Sequence, residues 1–331
     1  MSEMFIRRVM KLESNNEKGS PNMPIDLSVL ILTYNEAKHI ERCIRSLKAV
    51  SNNIFIVDSF STDDTVKICE ALGANVYQRA WKNYADQFQW GLDNCPIETE
   101  WIMRMDADEY IDKDLMDEFP KLFVTDLDEI DGFYIRRKYY FLGKWIKYGT
   151  IYPLNLLRVW RHSKGRIENR WMDEHIVLVP EAKTARLLGH IIDDNLNTSR
   201  WWTDKHNKYA DREMLDILDR KYELFPQDNS LRTDDDSSQA KIKRLVKENI
   251  YNRIPIFVRP LLYFLYRYFI WLGFLDGVRG FAFHFFQGYW YRSLVDLRVF
   301  EAERLLKNTK NNREKIEILE GFTGLQLKAS N

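Results

Sequence analysis

Residues 101–109 read Trp101-Ile102-Met103-Arg104-Met105-Asp106-Ala107-Asp108-Glu109. The apolar run reads as a buried strand, and it ends abruptly in Asp106-x-Asp108. Open α/β sheets bind ligands outside the carboxyl ends of their strands. Two carboxylates held this close repel unless something positive lies between them, and a hard divalent cation carrying substrate phosphates supplies that charge. A solvated acidic turn is the plainer alternative, since Glu109, Asp112 and Asp114 follow closely. The strand-end position favours a site.

Working back from this strand, apolar runs alternate with helical spacing. Leu27–Leu32 and Asn53–Val57 read as strands, the second closed by Asp58. Asn75–Tyr77 is a third, short one. Glu36–Lys48 has helical spacing through Ile40, Ile44 and Leu47. Ser61-Thr62-Asp63-Asp64 is a helix start with an acidic first turn, for a helix ending at Gly73. Tyr84–Asn94 is also helical. Strands alternating with helices predict an α/β fold with a mostly parallel, Rossmann-like sheet. Thr33-Tyr34-Asn35-Glu36 follows the first strand, where a nucleotide would sit, although Asn35 also suits a helix cap. Asp58 can accept hydrogen bonds from a ribose or a base edge, or it can simply cap.

Beyond Asp112 the texture becomes β-rich, with segments starting at Gly132, Leu156 and His175. Trp171-Met172-Asp173-Glu174-His175 offers two carboxylates and an imidazole in a row. Neighbours on a strand point opposite ways, so only one carboxylate can face a site, where it could act as a general base. His190 is an isolated imidazole in an apolar run, more often a structural residue than a metal ligand. Trp201 to about Leu224 reads as a helix.

The expected organisation is a loosely attached segment 1–24, a catalytic domain 25–225 and a polar linker 226–245. A membrane-associating region 246–300 and a C-terminal helix and tail 301–331 complete it. The 331 residues carry 49 basic and 49 acidic side chains, which leaves no global footprint for nucleic acid. The three cysteines follow no metal-ligand spacing, and so sparse a set fits a reducing compartment. No apolar core follows Arg7, Arg8 and Lys11, so a secretory signal is not expected.

Aromatics make up 14% of the chain and include 10 Trp. The stretch from Ile254 to Leu272 is long enough to span a bilayer, but Arg259, Arg267 and two prolines interrupt it. A central arginine costs roughly 2.5–3.5 kcal/mol on insertion scales. An element lying in the membrane interface, with arginines at the headgroups and aromatics below, is therefore expected. Phe281–Tyr291 would be a second such element. Lys241, Lys243, Arg244, Lys247 and Arg253 would add attraction to anionic lipid. A helical hairpin packed in a core, or a homodimer interface, is the alternative.

These landmarks, in this order, resemble family 2 glycosyltransferases of the GT-A fold over roughly Ile25 to Ala210. The pieces are residues 32–36 (Leu-Thr-Tyr-Asn-Glu), 57–65 (Val-Asp-Ser-Phe-Ser-Thr-Asp-Asp-Thr), 84–92 (Tyr-Ala-Asp-Gln-Phe-Gln-Trp-Gly-Leu) and 105–109 (Met-Asp-Ala-Asp-Glu). The wording, with Gly-Phe-Leu-Asp-Gly at 273–277, is similar to the branch of lipopolysaccharide-core β-glucosyltransferases and related bacterial surface-polysaccharide enzymes.

The resemblance implies an inverting hexosyltransferase with a C-terminal aromatic helical region. Thr33, Tyr34, Glu36, Asp58, Asp86, Arg104 and Asp106 would bind the nucleotide-sugar, a UDP-sugar. Asp108, Asp106 and His190 would hold Mg²⁺ or Mn²⁺. Glu174 or Asp173 would be the base, with Glu174 preferred, because the pair stands as Asp-Glu where the family commonly has Glu-Asp. No Gln-x-x-Arg-Trp motif of processive synthesis is present, which implies one sugar per acceptor. The acceptor would be a lipid-linked or lipopolysaccharide saccharide, met at the cytoplasmic face of the inner membrane. Two other classes compete. A sugar-phosphate nucleotidyltransferase should carry an early Gly-rich basic loop, and residues 33–39 contain no glycine. A non-catalytic nucleotide-sugar-binding module would show binding without turnover.

Overall fold

A computed structural model describes residues 25–123, 127, 129–168, 174–225, 254–325 and 327. The expected segment 1–24, the linker 226–245, the basic cluster Lys241–Arg253 and Asp173 lie outside the described residues.

The chain forms two compact units. In the first, β1 (Leu27–Thr33), β2 (Asn53–Asp58), β3 (Asn75–Gln78) and β4 (Trp101–Asp106) lie parallel in the order β3-β2-β1-β4. Helices α1 (Ile40–Leu47), α2 (Thr65–Ala71) and α3 (Tyr84–Asn94) connect them. The inner strands β1, β2 and β4 are largely apolar runs because both of their faces are covered, whereas the edge strand β3 is short and half exposed. Val29, Ile31, Ile54, Ile56, Met103 and Met105 pack with α1 in one cluster. Leu30, Phe55, Val57 and Ile102 pack with Ala85, Phe88 and Leu92 of α3 in another. The side-chain period of two thus puts Arg104 and Asp106 on the α3 face of β4.

Past β4 the sheet continues as β8 (Leu154–Arg161), β6 (Gly132–Phe141), β11 (Thr184–Asp194) and β5 (Glu109–Ile111), with β7 (Lys144–Ile146) hairpinned onto β6. This half is mixed, β6 and β11 being parallel and their other neighbours antiparallel. A separate hairpin joins β9 (Gly165–Ile167) and β10 (Ile176–Leu178). Helix α4 (Lys113–Phe123) packs Leu115 and Phe119 into the first cluster. Its start lies so close to β11 that a Cβ on Gly189 would come within 2.4 Å of the Leu115 backbone. The parallel half with an acidic turn at the end of β4 is the GT-A arrangement that the resemblance implied.

The second unit holds α5 (Ser199–Tyr222), α6 (Val258–Leu265), α7 (Gly277–Phe283), α8 (Tyr291–Leu306) and α9 (Asn312–Thr323), together with the segment Tyr148–Thr150. The first unit ends at Leu196, and from Asn197 onward the chain belongs to the second. The reason is packing: Met214, Leu215 and Leu218 of α5 share a core with Val299, Ala302 and Leu306 of α8 and Leu319 of α9. Arg259 and Arg267, expected at lipid headgroups, are 8% and 2% exposed and bond inward, Arg259 to Asp296 and Arg267 to the Gly149 carbonyl.

On α5, His206 stacks on Trp202, and its Nδ1–H donates to the Trp202 carbonyl at 2.9 Å. Burial pushes its imidazole down to about 4 in spite of that bond. The unfolded chain takes up its proton in the ordinary histidine range, about pH 6.5, while the folded chain resists until about pH 4. Stability contributed here is therefore complete above about pH 6.5 and is lost as pH falls toward 4, by an amount on the order of 2–3 kcal/mol. In urea unfolding, the wild type should lose more stability than His206→Gln between about pH 7 and about pH 4.5. Equal losses would show that His206 is not held neutral.

Candidate active site

The loops after β1 and β2 are laced together. Asn35 has a left-handed backbone, φ 56°, which asparagine tolerates. Its N–H donates to Ser61 Oγ at 2.9 Å, and its Oδ1 accepts the Thr62 N–H at 2.8 Å. Glu36 N–H donates to Thr65 Oγ1 at 2.8 Å. Asn35 is therefore a loop clasp rather than a helix cap, and α1 begins only at Ile40. Asp58 is fully buried and accepts from Thr33 Oγ1, the Ser61 N–H and hydroxyl, and Gln78 Nε2. The strand-end acid is thus the organiser of the loop, and a nucleoside contact would replace one of these donors. Tyr34 stands 59% exposed at the rim. Glu36 is turned to His39, whose Nδ1–H donates to it at 2.6 Å while Nε2 accepts the Leu196 N–H. Asp86 pairs with Arg79 at 2.7 Å.

At the end of β4, Asp106 accepts from the Tyr84 hydroxyl of α3 at 2.7 Å and from Arg158 of β8 at 3.2 Å. Arg158 also reaches Glu109 at 2.7 Å, and Glu109 accepts the Asp106 N–H at 3.0 Å. Burial alone would raise the Asp106 carboxyl, but Arg158 and then Arg104 hold it well below the usual carboxylate range. Burial pushes Glu109 the other way, upward, against the pull of Arg158. One guanidinium thus serves a buried carboxylate, Glu109, and a half-buried one, Asp106.

Arg104 lies over the Tyr84 ring, with its Nε 3.8 Å from Asp106 and its terminal nitrogen donating to the Glu174 carbonyl at 2.8 Å. This places the segment entering β10 beside the strand-end acids. Asp108 sits in the two-residue turn to β5 and accepts from Asn195 Nδ2 at 2.9 Å. Arg42 of α1 clamps this turn, bonding the Asp108 carbonyl as well as the carboxylate and carbonyl of Asp194. The other Asp108 carboxylate oxygen accepts no hydrogen bond among the described residues. It is a hard oxygen donor of the kind that suits Mg²⁺ or Mn²⁺.

Residues 28–176 match the family model described as glycosyl transferase family 2. Over that region the chain is similar to a family 2 glycosyltransferase domain. An uncharacterized glycosyltransferase of Rickettsia bellii is 41% identical over 99 residues, 30% of this chain and 33% of that protein. This match spans about a third of the relative's length. The lipopolysaccharide core biosynthesis glycosyltransferase LpsC of Rhizobium meliloti is 28% identical over 285 residues, 80% of this chain and 90% of LpsC. Among solved structures, S. aureus TarS 1–349 in complex with UDP-GlcNAc overlays with a TM-score of 0.45 at 15% identity, covering 84% of this chain and 91% of that one.

Within the matched region, the structure brings Arg104, Asp106 and the Glu174 backbone together. It places His190 elsewhere. The β11–β5 ladder sets Asp193 opposite Glu109 and Ile191 opposite Ile111, so His190 lies about 13 Å along β5 from Asp108 at ~3.3 Å per residue. There its Nδ1 bonds Asp112 at 3.0 Å and its Nε2 the Tyr152 hydroxyl at 2.9 Å. Asp112, Asp114 and His190 offer ligand atoms within 4.8 Å of one another, but Lys138 already bonds Asp112 at 3.1 Å. Burial, and then Lys138, lower the His190 pKa, against the pull of Asp112. His190 is thus an anchor of the α4 start rather than a partner of Asp108.

Arg158, Glu109, Arg42 and Tyr84 are functional neighbours that sequence reasoning missed. The available signal was Arg158 itself, a charge inside the apolar run Leu156-Leu157-Arg158-Val159-Trp160, since a buried charge must be paired. Arg158→Met should cost about 3 kcal/mol, because the buried Glu109 loses its cation and the half-buried Asp106 loses one of its two. Adding Glu109→Gln should recover part of that loss. Urea unfolding of the three proteins measures both, and a single variant as stable as wild type would refute the arrangement.

Proposed function

We propose that the chain is an inverting, metal-dependent glycosyltransferase. It would move a single sugar from a UDP-sugar to a lipid-linked or lipopolysaccharide saccharide at the cytoplasmic face of the membrane. The observation that carries this reading is Arg104, which holds Asp106 and the Glu174 backbone at the same strand end. A base there stands next to the acids that would receive the donor diphosphate. The likeness to LpsC over most of both chains supports the choice of acceptor class.

In this mechanism Glu174 takes the proton of the acceptor hydroxyl as that oxygen attacks the anomeric carbon. Asp173, its neighbour, is the alternative base. A single in-line displacement inverts the configuration, so an α-linked donor gives a β-linked product. Tyr84, Arg104 and Arg158 fix the Asp106 carboxylate before substrate arrives, and holding both reactants in line supplies much of the rate. Asp108, with Asp106 behind it, would hold Mg²⁺ or Mn²⁺, which supplies Lewis-acid neutralisation of the departing diphosphate.

The test is a panel of UDP-, GDP-, CMP- and dTDP-sugars with Mn²⁺, read by nucleotide release and by thermal stabilisation. One donor class should stabilise the protein and be turned over, and EDTA should abolish both effects. Turnover unchanged in EDTA would end the metal reading, and saturable binding without turnover would point to a binding module. Glu174→Gln should lower turnover by about 10²–10⁴-fold while the donor's thermal shift persists. The same loss in Asp173→Asn alone would move the base to Asp173.

A further inference from the structure

Between Phe257 and Val278 the usual placement of charge is inverted. The charged residues of this stretch are Arg259, Arg267 and Asp276, and all three are buried. Arg259 pairs with the buried Asp296 at 2.8 Å, Arg267 Nε donates to the Gly149 carbonyl at 3.0 Å, and Asp276 accepts the Tyr148 N–H at 2.9 Å. The outward side is apolar: Phe269, Trp271 and Leu275 are half exposed, and Ile270 and Val278 are 71% and 85% exposed. Folded chains in water put their charges outside. Charges turned inward beneath an apolar exterior that runs as far as the exposed Arg279 suit a hydrocarbon surrounding.

The shape limits how deep such a surface can go. Val258–Ile270 and Gly273–Leu306 are two helical arms bent by 73° at Trp271–Leu272. The first arm is about 20 Å long at ~1.5 Å per residue, short of a ~30 Å hydrocarbon core. Among the described residues, no single helix is long and apolar enough to cross a membrane. A protein partner would be expected to meet a polar rim around an apolar centre, and from Phe257 no charge is exposed until Arg279. Tyr266 and Trp271 lie on the exposed side and are residues that favour the membrane interface.

We infer that the bend Phe269–Leu275 is a re-entrant wedge that enters one leaflet of a lipid bilayer and is held by apolar insertion rather than by charge. The inference rests on the membrane reading above and specifies the chemistry of the contact. Its occupant is the acyl region of a lipid surface, so neutral headgroups suffice.

The experiment is co-flotation of the full chain with vesicles of phosphatidylcholine alone and with added phosphatidylglycerol, in low salt and in about 0.5 M salt, where charge is screened beyond a few ångströms. The wild type should float with neutral vesicles at both salt levels. Ile270→Glu with Leu275→Glu, at two exposed positions, should bind about a hundredfold more weakly, because each carboxylate must enter hydrocarbon. Circular dichroism and the donor-induced thermal shift confirm that this variant folds. Binding confined to anionic vesicles and abolished by salt would overturn the wedge. A wild-type dimer that the double variant splits, with flotation unchanged, would overturn it in favour of a second copy of this chain. Donor turnover separates the two readings: a double variant that loses flotation but keeps turnover supports both, and wild-type flotation without turnover of any donor leaves the wedge and removes the transferase.

Discussion

The guanidinium of Arg158 is buried at the end of β4, between Asp106 and Glu109. A charge there is stable only because it is paired, and the carboxylates are stable there only because of it. The rest of the site follows from this constraint. Asp106 cannot swing away, because Tyr84 and Arg158 hold its two oxygens. The turn to β5 cannot open, because Glu109 accepts the Asp106 N–H. Asp108, one residue on, is therefore presented at a fixed place with a carboxylate oxygen to spare.

The neighbouring loops obey the same logic. Asp58 spends its carboxylate on holding the β1 and β2 loops together. Glu36 and His39 connect the β1 loop to Leu196. A polar network whose members are all satisfied rigidifies what it joins, so the strand-end surface is organised before any donor arrives.

The parallel half of the fold was legible because burial on both faces writes a continuous apolar run. The strands expected at Leu27, Asn53, Asn75 and Trp101 start at those residues, and Tyr84–Asn94 is the observed α3. The other half was not legible in the same way. Strands β5, β7 and β9 are three residues each, too short to show a period, and their partners lie far away in sequence. Placing His190 needed the β11–β5 register, which no local pattern carries, so its tie to Asp112 was invisible while its position in an apolar run was plain. Similarly, Arg259 and Arg267 looked like interruptions of an apolar segment, and only the positions of Asp296 and Gly149 show that they face inward.

The second unit is not one continuous piece of chain. Tyr148–Thr150, some fifty residues ahead of the rest by sequence number, belongs to it, supplying the carbonyl that Arg267 bonds and the N–H that Asp276 accepts. A fragment beginning at Asn197 would carry two buried charges stripped of these partners. The helical unit is consequently not a detachable module, and a chimera that exchanges it between related chains must carry the β7–β8 connection along with it.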